Sequence, residues 1–349
     1  MRRPALATSL YLGLAVGAAP APGCGDNLEP FTVEALGVPP LVSYALTFTP
    51  QAGPVVWGQD GDGVDHFLVA EAGGWAERWP AAAAALGAAA CRSLTTFGRD
   101  DDGAPLALGC GPDRTGLYRV DDAGLTQIGP DLPTASPFLP LRDDAGGAPG
   151  GAYYVADEFA PDLWRLGPGA LNWARVARSA PTSWALRVGP DGMLYEITGA
   201  GIRRVDRQGL AEVVWTCPLA VDRCPTALVG FAGGAGAEVE LFVSDGLAVW
   251  EIRADGSRPP RVMFVGPGPD VGQLHAVSRE HVLYLAGPAG LDAFQLDPGP
   301  DATGADAAGA STVAPTHLAD FEAVLLRLGP DGALYARDAD GGLFVVRAR

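Results

Sequence analysis

The chain lacks lysine altogether and has little histidine, methionine and asparagine. All 24 basic residues are therefore arginines, and 41 acidic residues give a net charge of −17. The aspartates and glutamates are dispersed and form no acidic run, which is typical of a well-solvated surface. Because an anionic surface repels phosphodiester backbones, we expect no nucleic-acid partner.

The chain also lacks the short motifs that mark several enzyme classes. It has no Gly-x-Ser-x-Gly elbow, no phosphate-binding glycine loop and no Cys-x-x-Cys pair. These absences remove the usual signatures of serine hydrolases, nucleotide-binding enzymes and zinc sites. Helical periodicity is nearly absent, and the alanine run from Ala81 to Ala90 predicts a short helix or a packed loop between repeat units.

Glycine and proline are abundant instead, at 48 and 31 residues, and hydrophobic residues make up 48% of the chain. In such numbers these two residues interrupt helices and favour many turns between short strands. The composition therefore predicts an all-β protein with a large core.

Residues 1–23 have the pattern of a signal peptide. The pair Arg2-Arg3 precedes an apolar stretch, Ala5 to Ala19, that is too short to span a membrane comfortably. The end of this segment, Ala21-Pro22-Gly23-Cys24, resembles the bacterial lipobox, in which the cysteine is lipidated and becomes the new N-terminus. Ordinary cleavage a few residues earlier is the alternative. We expect an exported protein of the cell envelope, lipid-anchored through Cys24 or otherwise periplasmic or secreted.

Without Cys24 the chain has four cysteines, an even number that suits an oxidising compartment. We predict that Cys91 pairs with Cys110 and that Cys217 pairs with Cys224. The first two are equally distant from the centre of an expected hairpin turn, which would place them opposite each other on neighbouring strands. Six residues separate the second two, so a short loop would join them.

One ten-residue pattern occurs three times in the second half of the chain. Residues 186–195 read LRVGPDGMLY, residues 326–335 read LRLGPDGALY, and residues 275–284, HAVSREHVLY, align with both without a gap. Each copy predicts a strand, a tight turn and a second strand.

Strands like the second strand of this pattern recur at seven places, which start near positions 66, 105, 152, 193, 239, 282 and 333. Their spacing of 39 to 51 residues is typical of propeller blades. We predict a single β-propeller of seven four-stranded antiparallel blades over residues 41–349, with residues 24–40 as a linker. The last unit lacks an outer strand, and Leu41 to Phe48 is predicted to supply it.

The segments GPDGMLYEITGAGIRRVDRQG (189–209) and AYYVADEFAPDLWRL (152–166) resemble NHL-type propellers and the related SMP-30/gluconolactonase and sugar-dehydrogenase propellers. The resemblance covers most of the mature chain as a blade rhythm. It implies a β-propeller fold, with six blades as the alternative to seven because many such relatives have six. It does not choose a function, since these families include both enzymes and binding modules.

Residues 58–66, GQDGDGVDH, resemble the calcium loop of FG-GAP propellers. Calcium requires several oxygen ligands, and Asp60 and Asp62 stand at two of the ligand positions. Gly58 and His66 stand at two others, so an ordinary acidic hairpin turn is the favoured interpretation. No cofactor is expected, and Ca²⁺ is the alternative that Asp60 and Asp62 leave open.

The resemblance to enzymes transfers poorly to individual residues. SMP-30-type lactonases hold a metal with Glu, Asn and Asp in the channel, but this chain has only Asn27 and Asn172. Quinone-dependent sugar dehydrogenases use a channel histidine and arginines, and His275 is the one candidate here. The aligned residues are Leu186 and Leu326, so a core or channel-wall histidine is favoured for His275.

The sequence thus predicts a monomeric binding or interaction module for a protein, glycan or other envelope ligand, with the lipid anchor as its membrane contact. The alternative is a propeller enzyme that acts on a sugar or lactone. No catalytic residue is assigned.

Overall fold

A computed structural model of the chain describes residues 31–49, 53–72, 74–87, 105–109, 115–134, 137–142, 151–157, 162–178, 185–198, 200–206, 210–217, 224–232, 239–257, 259–265, 274–278, 280–287, 290–296, 315–329 and 331–348. The predicted signal peptide, Cys24, Cys91 and Cys110 lie outside the described residues.

The described residues form short strands and one helix. The first group is β1 (Phe31–Ala35), β2 (Ser43–Thr49), β3 (Gly53–Gln59), β4 (Asp65–Glu71), β5 (Gly74–Arg78), α1 (Pro80–Gly87), β6 (Leu106–Gly109), β7 (Gly116–Asp121) and β8 (Gly124–Ile128). The second is β9 (Pro137–Arg142), β10 (Tyr153–Asp157), β11 (Asp162–Leu166), β12 (Ala174–Arg178), β13 (Ala185–Val188), β14 (Leu194–Thr198), β15 (Gly201–Val205) and β16 (Ala211–Thr216). The third is β17 (Ala227–Ala232), β18 (Glu240–Ser244), β19 (Ala248–Arg253), β20 (Arg261–Val265), β21 (Leu274–Val277), β22 (Val282–Gly287), β23 (Gly290–Gln295), β24 (Thr316–Ala319), β25 (Ala323–Leu328), β26 (Leu334–Asp338) and β27 (Leu343–Ala348).

The strands confirm the predicted all-β class and the repeated antiparallel unit. Five sheets have three or four strands each: β2-β3-β4-β5, β6-β7-β8, β9-β10-β11-β12, β13-β14-β15-β16 and β25-β26-β27-β1. The sixth sheet has eight strands and consists of two antiparallel meanders, β17 to β20 and β21 to β24. No helix of the described residues is long and apolar enough to cross a bilayer.

A glycine allows the two meanders to meet. Gly230 of β17 pairs in parallel with Val277 of β21, the one registered pair between these strands. A β-carbon at position 230 would collide with the carbonyl oxygen of Val277. The small residue therefore permits two first strands to approach at backbone distance.

The strand that completes the last sheet differs from the prediction. Phe31–Ala35, within the predicted linker of residues 24–40, pairs with β27 as the outer strand. The predicted closing segment, Leu41 to Phe48, instead lies largely in β2, which pairs with β3 in the first sheet. Position 66 likewise lies in the third strand of that sheet, because β3 precedes it. The first unit was thus assigned one strand out of place.

Apolar clusters fill the spaces between successive sheets. Tyr195 and Ile202, for example, pack with Leu241 and Ile252 across the gap between two units. Another cluster joins the first sheet to the last, since it contains Val56 and Leu68 from one with Tyr335 and Val345 from the other. Because the last unit packs on the first, the sheets form a closed ring.

The helix confirms the interpretation of the alanine run. α1 packs between the first sheet and the three-stranded sheet, where Ala82 and Ala83 are buried with Trp57 and Phe67. Small alanine side chains allow a helix to fit into a space that is otherwise filled by sheet packing.

The three sequence copies have the same turn. Gly189 and Gly329 each donate an N–H to the carbonyl four residues later, and Ser278 does the same in the third copy. Gly192 and Gly332 have positive φ angles of 76° and 80°. His281 occupies the equivalent position with φ of 61°, a conformation that non-glycine residues seldom adopt. The gap-free alignment of the three copies is therefore confirmed.

Candidate functional site

The first strands of the later sheets lie beside one another. β9 contacts β13, β13 contacts β17, β17 contacts β21, and β21 contacts β25. We call these five the inner strands, because the first strands of propeller blades surround the central channel. Side chains that extend from the inner strands into the central channel can contact the same ligand.

Two arginines occupy the same position on two of these strands. Arg187 of β13 lies opposite Tyr195 of β14, and Arg327 of β25 lies opposite Tyr335 of β26. Each tyrosine is buried and donates its hydroxyl to the aspartate of its own turn, with O···O distances of 2.8 Å to Asp191 and 3.2 Å to Asp331. The repeat therefore sets both arginines at the same level of the ring.

Both guanidinium groups reach solvent, and the surrounding protein also lowers their pKa values. Arg187 is partly buried and Arg327 is exposed. Nevertheless, burial and repulsion from Arg327 lower the pKa of Arg187 to about 10. Desolvation by the surrounding protein also lowers the pKa of Arg327, although its side chain reaches solvent.

The charge of Arg327 acts on Arg187 although the two residues belong to different sheets. The eight-stranded sheet separates their two sheets along the chain, yet Arg327 contributes to the lowered pKa of Arg187. Both residues stand on inner strands, so the two charges act on each other across the space that these strands enclose.

Within the described residues, neither Arg187 nor Arg327 has a hydrogen-bond or ion-pair partner. Other arginines of the same sheets do. The Nε atom of Arg203 donates to Glu196 at 2.9 Å, and an Nη of Arg261 donates to Glu251 at 2.5 Å. Both carboxylates are almost fully buried, so these pairs hold neighbouring strands together and are closed to ligands.

His275 is buried on inner strand β21, in agreement with the favoured interpretation. Its Nδ1 lies 2.5 Å from Oγ of Ser244, which also accepts an N–H from Gly246 at 2.9 Å. Burial lowers the pKa of His275 to about 4, although Asp245 opposes this shift. The imidazole is therefore neutral at pH 7, and its Nε2 has no partner among the described residues.

The other histidines bind carboxylates in the scaffold. His66 lies between Asp60 and Glu77, at 3.0 and 3.1 Å. His317 lies between Asp292 and Asp320, at 2.8 and 2.9 Å, and its hydrogen bonds to them raise its pKa.

His281 contacts Glu240 at 3.1 Å. Among the described residues, His275 is the histidine with a buried ring nitrogen that lacks a hydrogen-bond partner.

Asp60 organises the turn between β3 and β4. One oxygen accepts backbone N–H groups from Asp62 and Val64, both at 2.9 Å, and the other lies 3.0 Å from Nε2 of His66. These hydrogen bonds lower the pKa of Asp60, with the His66 contact as the largest cause. The described residues contain no group of three or more metal-binding side chains. A calcium role for Asp60 and Asp62 stays a prediction, while the turn geometry is that of the favoured alternative.

The predicted Cys217–Cys224 disulfide is confirmed, with a Cα–Cα distance of 5.9 Å. It joins the end of β16 to the segment that leads into β17, and Cys217 is buried. Cys91 with Cys110, and the lipidation of Cys24, stay predictions.

Sequence reasoning did not assign a role to Arg187 or Arg327. The signal was present in the two near-identical copies, where an arginine stands between two apolar residues of the same strand. The role of this arginine depends on whether its strand is the inner strand of the sheet, which the sequence alone does not show.

No protein-family profile matches the chain. No curated protein matches it either. Solved structures do match. A streptogramin B lyase is 12% identical, with 91% of this chain and 98% of that chain covered and a TM-score of 0.60.

YCF48 from Cyanidioschyzon merolae is 12% identical, with 90% and 98% covered and a TM-score of 0.56, and YCF48 is also matched as a complex with the D1 peptide. The extracellular domain of a one-component system from B. thetaiotaomicron is 10% identical, with 91% of this chain and 40% of that chain covered and a TM-score of 0.55. The structural neighbours are β-propellers, and the similarity shows that this chain has the β-propeller fold.

Proposed function

We propose that this chain is an exported β-propeller that binds a ligand of the cell envelope. The observation that carries the proposal is the pair Arg187 and Arg327, which extend from inner strands without protein partners among the described residues. The buried glutamates Glu196 and Glu251, in contrast, are already paired with arginines. Unpaired cations at the inner edge of a ring are available to a ligand.

The chemistry of these two residues favours binding over turnover. A guanidinium group stays protonated near pH 7 even when its pKa falls to about 10. It can therefore orient and neutralise an anionic group but is a poor proton donor or acceptor. The structural neighbours include both a binding protein and an enzyme, since YCF48 is matched with a bound peptide and another neighbour is a lyase.

Export is the second part of the proposal. Residues 1–23 would be removed as a signal peptide, and Cys24 would carry the lipid anchor. Several structural neighbours are extracellular domains, which supports a location outside the cytoplasm. Mass spectrometry of the protein from its native membrane tests this part, with a diacylglycerol-modified Cys24 as the expected N-terminus and an unmodified earlier terminus as the contrary result.

The third part of the proposal is that the propeller has seven blades. The two meanders of the eight-stranded sheet count as two blades, and the other five sheets count as one each. Seven apolar clusters support this count, because each lies between two successive units and one closes the ring. An experimental structure with six blades would contradict it.

Equilibrium binding of the purified full chain to defined envelope materials tests the function. Peptidoglycan fragments, surface polysaccharide and soluble envelope proteins are titrated separately, with the heat-unfolded chain as the control for non-specific adsorption. We expect saturable binding to one class by the folded chain alone. Equal binding by folded and unfolded chains, or none to any class, would contradict the proposal.

His275 favours a second candidate function, an enzyme that acts on a sugar or lactone. Its imidazole is neutral at pH 7, with one nitrogen held by Ser244, and Nε2, which has no partner among the described residues, is the atom that would accept a proton. Lactone hydrolysis and quinone-linked sugar oxidation are the assays. Turnover that His275→Gln abolishes, with the fold retained, would favour the enzyme. The same turnover by wild type and variant would exclude a role for His275.

A further inference from the structure

We propose that Arg187 and Arg327 together bind an oxyanionic ligand, carrying carboxylate or phosphate groups, in the space enclosed by the inner strands. This inference rests on the proposed binding function and names the chemistry of its ligand. It follows from the placement of the two side chains, from their charge and from the geometry of the guanidinium group.

Placement is the first argument. Arg187 and Arg327 occupy equivalent positions in two copies of the repeat, and each lies opposite a buried tyrosine. Tyr195 is held by Asp191, and Tyr335 is held by Asp331. Both arginines therefore leave rigid strands at the same level of the ring, which fixes the two halves of a site before a ligand arrives.

Charge is the second argument. Two like charges on the inner strands that lack hydrogen-bond and ion-pair partners among the described residues destabilise the folded ring, because each raises the electrostatic free energy of the other. An anion between them replaces this repulsion with two attractions. In a chain with a net charge of −17, this is a local positive region within an overall negative molecule.

The guanidinium group indicates the ligand class. Its planar fork donates two parallel N–H bonds to a carboxylate or a phosphate, and such charge-assisted bonds are among the strongest in proteins. Two forks suit either one phosphate between them or a ligand with an oxyanion at each end. Pyrophosphate and succinate are the probes that separate the phosphate and carboxylate sources.

Isothermal titration calorimetry at constant ionic strength tests the site in the full chain. Wild type is compared with Arg187→Gln, Arg327→Gln and the double variant. The control is Arg175→Gln, which removes the same charge from an exposed side chain that pairs with Asp162 at 3.5 Å on an outer strand. Saturable binding of pyrophosphate, of succinate or of both supports the proposal, and the probe that binds identifies the source.

Each single substitution is expected to weaken binding about tenfold or more, because one charge-assisted contact is lost. Arg175→Gln is expected to bind as wild type does. Equal weakening by all three single variants would show a general charge effect and would overturn the site. So would the absence of binding by wild type.

A second measurement needs no variant. The chain is treated with phenylglyoxal, which modifies arginine, with and without the bound anion, and modified peptides are quantified by mass spectrometry. The proposal predicts that the anion protects Arg187 and Arg327 severalfold and leaves Arg175 unprotected. Equal modification with and without the anion would overturn it. If the chain still binds an envelope material saturably in that case, the anion site fails while the proposed function stands.

Discussion

Arg203 donates through Nε to a carboxylate oxygen of Glu196 at 2.9 Å, and Glu196 is 1% exposed. The two residues lie directly opposite on β14 and β15, so the pair joins adjacent strands beside the inner strand β13. Its burial makes it sensitive to the loss of either partner.

Arg203→Met is expected to lower the free energy of unfolding by about 3 kcal/mol, because it leaves a buried carboxylate without its cation. The control is Glu212→Gln, which breaks a neighbouring pair with Arg204 whose acidic partner is 63% exposed. That change is expected to cost less than about 1 kcal/mol. Urea denaturation of both variants measures these two losses. Equal losses of unfolding free energy would contradict the expectation that the buried pair matters more than the exposed one.

Gly230→Ala is expected to destabilise the fold by about 2 kcal/mol, because the added methyl group meets the carbonyl of Val277 where two inner strands touch. Gly61→Ala is the control, since a β-carbon there has open space and the position has no positive φ. Thermal denaturation measures both. If Gly230→Ala is no less stable than Gly61→Ala, the strands β17 and β21 do not approach as described.

Replacement of Cys217 and Cys224 by serine is expected to lower the free energy of unfolding by about 2 to 3 kcal/mol, because the disulfide restricts the unfolded chain. Wild type treated with a reductant should lose a similar amount of stability. The contrary result is a double variant as stable as the oxidised wild type.

Two histidines predict a loss of stability as the pH rises. The pKa of His66 is raised chiefly by Asp60, and that of His317 chiefly by Asp292, from an ordinary value of 6.5. A raised folded-state pKa means that the stabilisation is complete below the unfolded value and disappears as the pH passes the folded value. Melting temperatures from about pH 6 to about pH 8.5 should therefore fall. The slope should be smaller in the double variant with glutamine at both positions, and an unchanged slope would refute the assignment.

His275 predicts the opposite dependence on the acidic side. Burial lowers its pKa to about 4, so its contribution to stability is present above 6.5 and is lost as the pH falls through this window. His275→Leu introduces the residue that stands at positions 186 and 326 and removes the titration. The melting temperature of the variant should gain on that of wild type as the pH falls from about 7 to about 4.5. A constant difference would show that the buried imidazole does not titrate in this range.

The repeat explains how much of the fold the sequence could predict. The turns after residues 188, 277 and 328 share a backbone hydrogen-bond pattern, so local sequence determined local structure there. His281 shows that the alignment holds even where the glycine is replaced. The units that contain these copies were assigned correctly.

The first unit could not be assigned in the same way. Neither β3 (GPVVWGQ) nor β4 (DHFLVAE) contains the Leu-Tyr signature, and β4 was taken for the second strand because a polar turn precedes it and a glycine-rich turn follows it. The closing strand was misassigned for a related reason. Both β1 and β2 are extended segments with apolar residues, and strand propensity does not reveal which distant edge a segment pairs with.

The sequence analysis did not identify the candidate site because its residues come together only in the tertiary structure. An arginine between two apolar residues of a strand is typical of a half-exposed strand at any place in a sheet. Only the order of contacts from β9 to β25 shows that Arg187 and Arg327 lie on inner strands. The burial of His275 could be predicted from the sequence, because leucine stands at the equivalent positions of the other two copies.

The central claim is that Arg187 and Arg327, which have no hydrogen-bond or ion-pair partner among the described residues, share an anion site. A crystal structure of the full chain grown with pyrophosphate tests it most directly. The account predicts electron density for the anion between the guanidinium groups of Arg187 and Arg327, with Phe31–Ala35 as the strand that closes the ring. Either arginine paired with an acidic side chain, with no anion between them, would contradict it.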